Sequence, residues 1–518
     1  MRSVFRFVVL FCAVSTIGAS GAAAADWPGW RGPNRDGASR EIGLLREWPQ
    51  QGPTLIWKTD LLGVGYSGVS VLGDRIFTMG NGYTKGPPDE PWVKGKNREW
   101  VMAFDANSGE QVWASATAMM DFAGGGTPGP RSTPFADGDR LYTLGLNGDL
   151  VCMSTGNGKV IWQKNLVKDF GGKIPQYGYS ESVLVDGSTV LCTPGGKDAT
   201  MVALQKTDGE VIWKCPAGDD AAYSSIISYK GSGQAQYVTL TAGGVIGVNA
   251  ADGKLLWRFK KLAGTSQMVN IPTCLAWGRT IFGANGSAGG ACFWWQPSDG
   301  QEAKQIYLTN KMKNFMGGFV LLSFAEDAYL FGCSEPGYLV CLDYKKGSTK
   351  WHTRETGKCS TIYADGMLYC RNENGTVYLV QATYSGFKLK GKLEQPDRTD
   401  KKAFTPPVVA NGRLYLRDQW NLFCYDLTGE AKPLPSASGG EGPAEKPAGE
   451  EPGEKPAEKP AEKPPAKKPP TKKPAAEKTP KGTQPGGTTP GSTPKFRPRG
   501  TGGSSRPPAK KPETPGFY

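Results

Sequence analysis

The sequence predicts an all-β protein, an eight-bladed β-propeller built from four-stranded antiparallel blades. Three observations support this fold class. A strand–turn–strand pattern recurs along the chain, a second series of hairpins alternates with it, and 71 Gly and 40 Pro among 518 residues indicate frequent turns. Repeats of roughly 45 residues that consist of short strands are typical of propellers, in which neighbouring sheets bury each other's faces.

The N-terminus has the features of a secretory signal peptide. Two arginines accompany an apolar run from Phe7 to Ile17, which is too short to span a bilayer, and Ala23 and Ala25 satisfy the small-x-small rule for cleavage. We expect residues 1–25 to be removed, and an uncleaved anchor is the alternative. The mature protein is then exported to the periplasm or the extracellular space and does not span a membrane.

The hairpin that sets the period of the repeat is clearest in "NGDLVCMSTGNGKVIWQK", residues 147–164. An alternating apolar strand leads into a turn glycine, which adopts positive φ at little cost, and a Trp stands four residues later on the second strand. A large aromatic side chain at that place can pack between neighbouring sheets. The five strongest copies contain Gly109 and Trp113, Gly158 and Trp162, Gly209 and Trp213, Gly253 and Trp257, and Gly347 and Trp351.

The second series of hairpins gives an independent count of the blades. Segments such as "FADGDRLYTL" and "VANGRLYL" number eight, as do the strong and weak copies of the first hairpin together. The last weak copy, "NLFCYDLTGE", lacks a Trp, whereas "PTLIWKTDLL" near the N-terminus carries Trp57 without a preceding turn glycine. We therefore expect the Trp57 strand to complete the last blade of a propeller that spans residues 26–430, which removes its open sheet edges.

Residues 431–518 form a second region of different composition. They are rich in Pro, Lys, Glu and Gly and carry 17 basic and 9 acidic residues, whereas residues 26–430 carry 42 basic and 39 acidic residues. This tail has too little apolar surface to fold, so it should be a disordered spacer. The alternative is an electrostatic tether to an anionic surface. Because the basicity lies mostly in the tail, the propeller is not predicted to bind nucleic acid specifically.

The histidine and cysteine content excludes several kinds of site. His352 is the only histidine, which excludes histidine-based catalysis and a multi-histidine metal centre. The 11 cysteines include no CxxC, and we expect neither a metal site nor a catalytic residue. One repeat position alternates among Cys, Ala and Gly, which indicates a tight core site for a small hydrophobic residue. That position holds Ala103, Cys152, Ala203, Gly247, Cys341 and Cys424.

Candidate ligand-binding residues lie shortly before the first strand of several blades. That strand lines the channel of a propeller, so these residues are expected at one end of the channel, where a ring of Tyr, Arg, Glu and Asn can hold a polar ligand or a peptide. The alternative is that they satisfy hydrogen bonds between blades. The candidates are Tyr66, Arg131, Tyr179, Glu181, Tyr223 and Asn270, and Lys358 occupies the corresponding place in a later blade.

The strand–turn–Trp repeat resembles the pyrroloquinoline-quinone (PQQ) repeat of quinoprotein dehydrogenases and of BamB propellers, which implies the quinoprotein alcohol dehydrogenase-like fold. The resemblance covers about Trp27 to Glu430. "DWPGWRGPNRDG", "GPRSTPFADGDRLYTLGLNGDLVC", "GYSESVLVDG" and "PGGKDATMVAL" are similar to exported PQQ-like propellers of planctomycete-type bacteria. One departure is "KNFMGG", residues 313–318, where such relatives carry His-His-Gly-Gly. A role that depends on those histidines does not transfer to this chain.

Three functions stay open from the sequence. The resemblance to BamB implies an exported, non-catalytic, monomeric scaffold that binds envelope proteins or peptide segments and no cofactor. The rival is a PQQ-dependent oxidoreductase with Ca²⁺, although the adjacent cysteines, calcium ligands and Asp base of the quinoprotein enzymes have no matching positions here. The third is a carbohydrate-binding propeller, which the 15 Trp favour only if some of them are exposed.

Overall fold

A computed structural model describes residues 25–81, 98–119, 129–264 and 270–430. Within these ranges it contains 32 β-strands in eight four-stranded antiparallel sheets and two 3-10 helices, Lys260–Leu262 and Pro297–Asp299. The predicted eight-bladed propeller is therefore confirmed. No helix of the described ranges is long and apolar enough to cross a membrane. The predicted signal peptide, apart from Ala25, and the predicted tail lie outside the described residues and stay predictions.

The first strand, β1 (Leu55–Thr59), stands apart from the strands that follow it, which form blades in chain order. Blade 1 contains β2 (Ser70–Leu72), β3 (Arg75–Asn81), β4 (Arg98–Asp105) and β5 (Gln111–Met119). Blade 2 contains β6 (Phe135–Asp137), β7 (Arg140–Leu144), β8 (Asp149–Ser154) and β9 (Val160–Asn165). Blade 3 contains β10 (Leu184–Asp186), β11 (Thr189–Cys192), β12 (Met201–Gln205) and β13 (Val211–Cys215). Blade 4 contains β14 (Ile227–Tyr229), β15 (Gln236–Thr241), β16 (Gly244–Asn249) and β17 (Leu255–Phe259).

The second half of the ring repeats this order. Blade 5 contains β18 (Leu275–Trp277), β19 (Thr280–Asn285), β20 (Gly289–Trp294) and β21 (Lys304–Thr309). Blade 6 contains β22 (Phe319–Phe324), β23 (Asp327–Ser334), β24 (Tyr338–Asp343) and β25 (Thr349–Thr353). Blade 7 contains β26 (Cys359–Ala364), β27 (Met367–Asn372), β28 (Val377–Gln381) and β29 (Leu389–Leu393). Blade 8 contains β30 (Val408–Ala410), β31 (Arg413–Asp418) and β32 (Asn421–Asp426), followed by β1.

Blade 8 closes the ring. β1 pairs with β32 and places Trp57 opposite Cys424, so the prediction that the N-terminal strand completes the last blade is confirmed. Two fully buried arginines join blade 8 to its neighbours. Arg417 of β31 donates to the Ser67 carbonyl of blade 1 at 3.0 Å, and Arg371 of β27 donates to the carbonyl of Arg417 at 2.7 Å.

A β-bulge on the outer strand turns each blade Trp toward the next blade. In β9, Val160 and Trp162 pair with consecutive residues of β8, which leaves Ile161 as the bulged residue. The indole ring then covers the turn glycine of the next blade: a Cβ on Gly158 would lie 2.5 Å from the Trp113 ring. Each indole N–H donates to a backbone oxygen 2.8–3.1 Å away, in the pairs Trp57 with Ala106, Trp113 with Thr155, Trp162 with Lys206, Trp213 with Ala250 and Trp351 with Thr383.

Blades 4 and 5 depart from this pattern. The indole N–H of Trp257 donates to Gln236 of its own blade at 2.6 Å, and its ring lies so close to Gly247 that a Cβ there would be 2.2 Å away. Blade 5 lacks the repeat Trp, and Tyr307 takes its place by donating to the Tyr344 carbonyl at 2.7 Å. The outer-strand position therefore accepts either Trp or Tyr as an aromatic ring with a hydrogen-bond donor, whereas blade 7 has Gly391 there, opposite Leu379, with Trp48 packed against it.

The residue opposite the blade aromatic is small. Cys152 lies opposite Trp162 on the neighbouring strand, and Cys341 lies opposite Trp351. Cys424 and Trp57 form the equivalent pair in blade 8. These three cysteines are fully buried, which confirms the prediction that they are small core residues. All ten cysteines of the described ranges are buried.

Residues 27–41, which we call the plug segment, lie across the channel at the carboxyl ends of the innermost strands. Trp27 donates its backbone N–H to Val71 of blade 1 at 2.9 Å, and Ser39 donates to Tyr363 of blade 7 at 2.8 Å. Between these points the indole of Trp30 donates to Thr273 Oγ1, just before blade 5, at 2.9 Å. The segment therefore touches blades on opposite sides of the ring and closes this end of the channel.

Two arginines extend from the plug segment into the channel. Both have positive φ and are almost fully buried. Arg31 donates to the carbonyls of Gly317 at 3.2 Å and of Phe319, at the start of blade 6, and Arg35 donates to those of Ser182 and Val183, just before β10 in blade 3. Backbone oxygens that point into the channel thus accept hydrogen bonds from guanidinium groups.

Candidate functional site at the channel mouth

The innermost strands begin at the end of the channel opposite the plug segment, which we call the mouth. Three predicted residues lie there in a continuous arc. The Arg131 guanidinium lies 5.2 Å from the Tyr66 ring centroid and 5.9 Å from that of Tyr177, and its Nε donates to the Tyr177 carbonyl at 3.0 Å. The Tyr177 ring lies 6.2 Å from the Tyr223 ring, and Phe404 packs on Tyr66 at 5.3 Å. Burial lowers the pKa of Arg131.

Asn270 lies next to this arc but turns its amide away from it. Its backbone oxygen accepts the N–H of Tyr223 at 3.1 Å. Its side chain is fully buried, donates to the Thr241 carbonyl at 2.7 Å and accepts from Asn285 at 3.2 Å. These contacts connect blades 4 and 5, which is the alternative that the sequence left open for such residues.

Tyr179 and Glu181 lie inside the blades rather than in the arc. The Tyr179 hydroxyl donates to the Pro194 carbonyl at 2.8 Å, and its ring packs on Gly148. Glu181 accepts the backbone N–H of Thr193, and burial raises the pKa of its carboxyl to about 7. Their predicted ligand-binding role is not tested by this placement, but both side chains already have partners within the fold.

A cleft opens beside the arc, where blades 6, 7 and 8 meet, and we call it the mouth cleft. It has about 340 Å³ of empty space, part of it continuous with solvent. Lys358 forms a 2.8 Å ion pair with Glu335, and this pair outweighs the effect of burial and raises the pKa of the lysine. Glu373 is paired with Lys402 at 2.9 Å. Lining residues include Lys313, Phe315, Cys333, Glu335, Lys358 and Cys359.

The "KNFMGG" segment runs from the mouth cleft to the plug segment. Asn314 is fully buried and donates to the carbonyls of Gly318 and Cys333 at 2.9 Å each. Gly318 has φ of 64°, and a Cβ there would lie 2.3 Å from the Arg31 guanidinium. The second glycine of this segment is therefore needed because the plug arginine occupies the space beside it.

Sequence reasoning missed Tyr177, Phe404 and the two thiols of the mouth cleft. Tyr177 stands two residues before the predicted Tyr179 in "QYGYS". The sequence signal was therefore present, but it does not show which of the two tyrosines faces the mouth. Cys333 and Cys359 come from different blades, and only the packing of blade 6 on blade 7 brings them together.

The residues at the mouth do not fit a PQQ cofactor with Ca²⁺. Calcium requires about six to eight oxygen ligands. In the described part of the chain, no three side chains of His, Cys, Asp and Glu converge on a point that could hold a metal ion. Glu335 and Glu373 are each occupied by a lysine. The carboxylates of the mouth cleft are thus committed to ion pairs, and the expectation that no cofactor is bound stays a prediction.

Comparisons with known proteins give a consistent result. The family model described as outer membrane protein assembly factor BamB matches residues 97–293. The BamB protein of Yersinia pestis is 22% identical over 296 residues, which are 55% of this chain and 71% of that protein. The quinohemoprotein alcohol dehydrogenase of Comamonas testosteroni superposes with a TM-score of 0.55 at 11% identity, over 82% of this chain and 84% of that chain. The corresponding enzyme ADHIIG of Pseudomonas putida HK5 gives 0.53 at 13% identity, over 80% and 82%.

The fold and the blade aromatics define a β-propeller assembled from one recurring hairpin. Together with the match to the BamB model, they show that this chain is a PQQ-like β-propeller repeat protein, as the sequence predicted. The likeness to the two dehydrogenases shows the shared fold alone.

Proposed function

We propose that this chain is an exported scaffold of the cell envelope that binds extended segments of partner proteins along the outer edge of blade 1. The composition of β5 carries the proposal. This strand, Gln111–Met119, is the longest outer strand, with nine residues, and it contains no charged residue. Each of the other seven outer strands has five or six residues and at least one Lys or Arg.

An unpaired strand edge offers backbone donors and acceptors to a second chain, and proteins usually protect such edges with charges or keep them short. In the described sheets β5 pairs with β4 alone. Between its two bulges, residues 113–116 keep a regular register with β4. Val112 and Met119 at its two ends are 43% and 37% exposed. This edge is therefore suited to strand addition, in which backbone hydrogen bonds give affinity and side-chain pockets give specificity.

The comparisons support the location and the kind of partner. The relative from Yersinia pestis is by its name an assembly factor for outer membrane proteins. The predicted signal peptide is in agreement with a place in the periplasm or envelope. We propose that the partners are envelope proteins, that the propeller acts as a monomer, and that the tail of residues 431–518 is a spacer or a tether to an anionic surface.

The carbohydrate-binding alternative loses its main support. It required exposed tryptophans, and the tryptophans in the described ranges are all buried or half-buried. Trp92 lies outside those ranges. Within the same ranges Tyr384 is exposed, and it stacks on Tyr329 with ring centroids 4.5 Å apart.

Strand addition can be tested with ten-residue peptides from outer membrane proteins, by fluorescence anisotropy and by hydrogen exchange of the full chain. We expect bound peptide to protect the amides of β5, and N-methylation of alternate peptide amides to abolish binding. Ala116→Lys should weaken binding at least tenfold, because a charge would then interrupt the edge. Ile212→Lys on β13 is the matched control and should bind as the unmodified chain does. Protection confined to the mouth cleft would contradict the proposal.

The oxidoreductase alternative has a separate test. The full chain is titrated with PQQ in a calorimeter, with and without Ca²⁺. The scaffold proposal predicts no binding well above micromolar concentrations. Saturable one-to-one binding that is lost in Arg131→Ala would overturn it and would call for an alcohol or sugar oxidation screen.

A further inference from the structure

Three thiols cluster where blade 6 meets blade 7. Cys333 lies near the end of β23, Cys359 is the first residue of β26, and Cys370 lies in β27. Cys333 and Cys359 both line the mouth cleft and are each 6% exposed, whereas Cys370 is fully buried behind them. Two of the three cysteines therefore form part of the cleft wall and keep a small exposed surface.

Cys333 and Cys359 lie close together, because β23 and β26 pack against each other and both thiols face the Thr356–Gly357 loop, where Thr356 Oγ1 donates to the Gly357 oxygen at 3.2 Å. Each of the two thiols is the largest influence on the pKa of the other. Cys333 Sγ lies 3.5 Å from the Gly357 oxygen, and Cys359 Sγ lies 3.7 Å from Thr356 Oγ1. Residues at the same repeat position of two blades are too far apart to bridge, but these two cysteines occupy different positions on facing strands.

We propose that Cys333 and Cys359 form a thiol–disulfide exchange site that becomes a disulfide between blades 6 and 7 when the protein meets an external disulfide. The co-reactant is a small-molecule or protein disulfide. This inference does not depend on the strand-addition proposal, because it concerns a different face of the propeller.

The exchange balances without a further reactant. The Cys359 thiolate attacks one sulfur of the external disulfide, whose second sulfur leaves as a thiolate and takes up the proton that Cys359 gave up. Cys333 then loses its proton and attacks Cys359 Sγ in the mixed disulfide, and the first external sulfur leaves and is protonated. Two cysteine thiols are oxidised, one external disulfide is reduced to two thiols, and no net proton is released.

The surroundings favour Cys359 as the attacking group. The neighbouring thiols of Cys333 and Cys370, followed by the hydroxyls of Thr356 and Thr361, lower its pKa, while the contact with Cys359 raises the pKa of Cys333. Lys358 is its neighbour in the chain and lines the same cleft. Cationic neighbours and hydrogen-bond donors stabilise a thiolate, which is the reactive form of cysteine.

The site would respond to redox state without a change of fold. A disulfide here joins β23 to β26, two strands that already pack against each other in one core cluster. Its sulfurs would lie on the wall of the mouth cleft, so oxidation removes two thiol hydrogen-bond donors from that surface. Cys370 is excluded from the exchange because its sulfur does not reach the cleft.

The experiment uses the full chain, purified under reducing conditions and then incubated with oxidised glutathione over a range of glutathione ratios. Free thiols are alkylated before digestion, and the peptides are analysed by mass spectrometry. We expect the native chain to lose two thiols and to yield one linked peptide pair, Cys333 with Cys359, which reduction releases.

Matched variants assign the pair. Cys333→Ser and Cys359→Ser should each abolish the linked peptides, and Cys359→Ser should also prevent the mixed disulfide. Cys341→Ser, which removes a fully buried thiol of the same blade, should leave the linkage unchanged. Two results overturn the proposal in the unmodified chain and do not depend on folding of a variant: no thiol is lost at the most oxidising ratio, or the linked pair contains Cys370.

Discussion

The two ends of the channel both contain arginines but use them differently. At the closed end Arg31 and Arg35 are 3% and 2% exposed and donate to backbone oxygens of blades 6 and 3. At the mouth Arg131 is half-buried and lies between the rings of Tyr66 and Tyr177. An arginine that donates to backbone carbonyls holds strands in place. An arginine between aromatic rings instead adds a charged group to a surface made of those rings.

The two ends of the channel therefore have different roles: the closed end holds the fold together, and the mouth contains the reactive groups. The closed end uses its charges to connect blades that are distant in sequence. The mouth concentrates ion pairs and two thiols that line one cleft, beside an arc of aromatic rings. Substitutions at the closed end should therefore change stability strongly, and those at the mouth should change it weakly.

The largest effect is expected from Arg31→Ala. The substitution leaves buried carbonyls of Asp36, Gly317 and Phe319 without this donor, and each such loss costs about 1–3 kcal/mol. We expect the free energy of unfolding in urea, followed by Trp fluorescence, to fall by about 4 kcal/mol. Arg40→Ala is the control, because this arginine of the plug segment is exposed. Equal losses in the two variants would show that the buried arginine does not hold the closed end.

Glu181, beside Arg35, should make stability dependent on pH. Burial raises its pKa to about 7, above the value of 4.5 for an exposed Glu. The folded chain therefore retains this proton where the unfolded chain has lost it. The free energy of unfolding should decrease as pH rises from about 4.5 to 7, by up to about 3 kcal/mol from this group.

The measurement is the melting temperature between pH 5 and 8. Glu181→Gln should show a smaller decrease than the unmodified chain, because the amide does not ionise. Asp139→Asn, at an exposed turn, should retain the full decrease. Parallel curves for the unmodified chain and Glu181→Gln would contradict the assignment. Glu99, whose pKa burial also raises to about 7, and Glu41, whose pKa burial raises, contribute to the decrease that remains in Glu181→Gln.

A smaller effect is expected from Gly318→Ala, which tests the contact between "KNFMGG" and the plug segment. Gly138→Ala is the matched control, since the two glycines have φ of 64° and 60°. A Cβ on Gly138 meets nothing within 4 Å, whereas one on Gly318 would lie 2.3 Å from Arg31. Both variants bear the strain of positive φ, about 1–2 kcal/mol. Gly318→Ala should lose about 2 kcal/mol more in urea unfolding, and equal losses would rule out a tight contact.

The smallest effect is expected at the mouth, in Arg131→Ala. Removal of the guanidinium eliminates its stacking on Tyr66 and Tyr177 and one hydrogen bond, and we expect a loss of about 1 kcal/mol in urea unfolding. Arg131→Lys is the comparison, because it keeps the charge and loses the planar stacking group. A loss as large as that of Arg31→Ala would abolish the distinction between the two ends.

Much of the fold was predictable because its signals are local. The turn glycine and the Trp four residues later lie in one hairpin, so eight copies of that hairpin predicted eight blades and the role of Trp57 in closing the ring. The core position of Cys152 and Cys341 followed from comparing copies. Tyr307 was missed because its blade has neither the Trp nor the usual spacing.

The candidate site was predicted less completely. Tyr66, Arg131 and Tyr223 lie together at one end of the channel, because they precede the innermost strands, and their ligand-binding role stays a prediction. Tyr179 has a similar spacing and Glu181 follows it by two residues, but both are buried within blade 3. Spacing along an irregular segment does not fix the direction of a side chain, since such a segment has no regular alternation.

The sequence by itself determined the number of blades, the turn and aromatic positions and the closure of the ring, because each depends on residues that are neighbours along a hairpin. The tertiary structure alone decided which residues share the mouth, how Cys333 meets Cys359 and how residues 27–41 close the channel. These contacts join residues up to hundreds of positions apart. Their geometry depends on how eight blades pack around one axis, which no local pattern encodes.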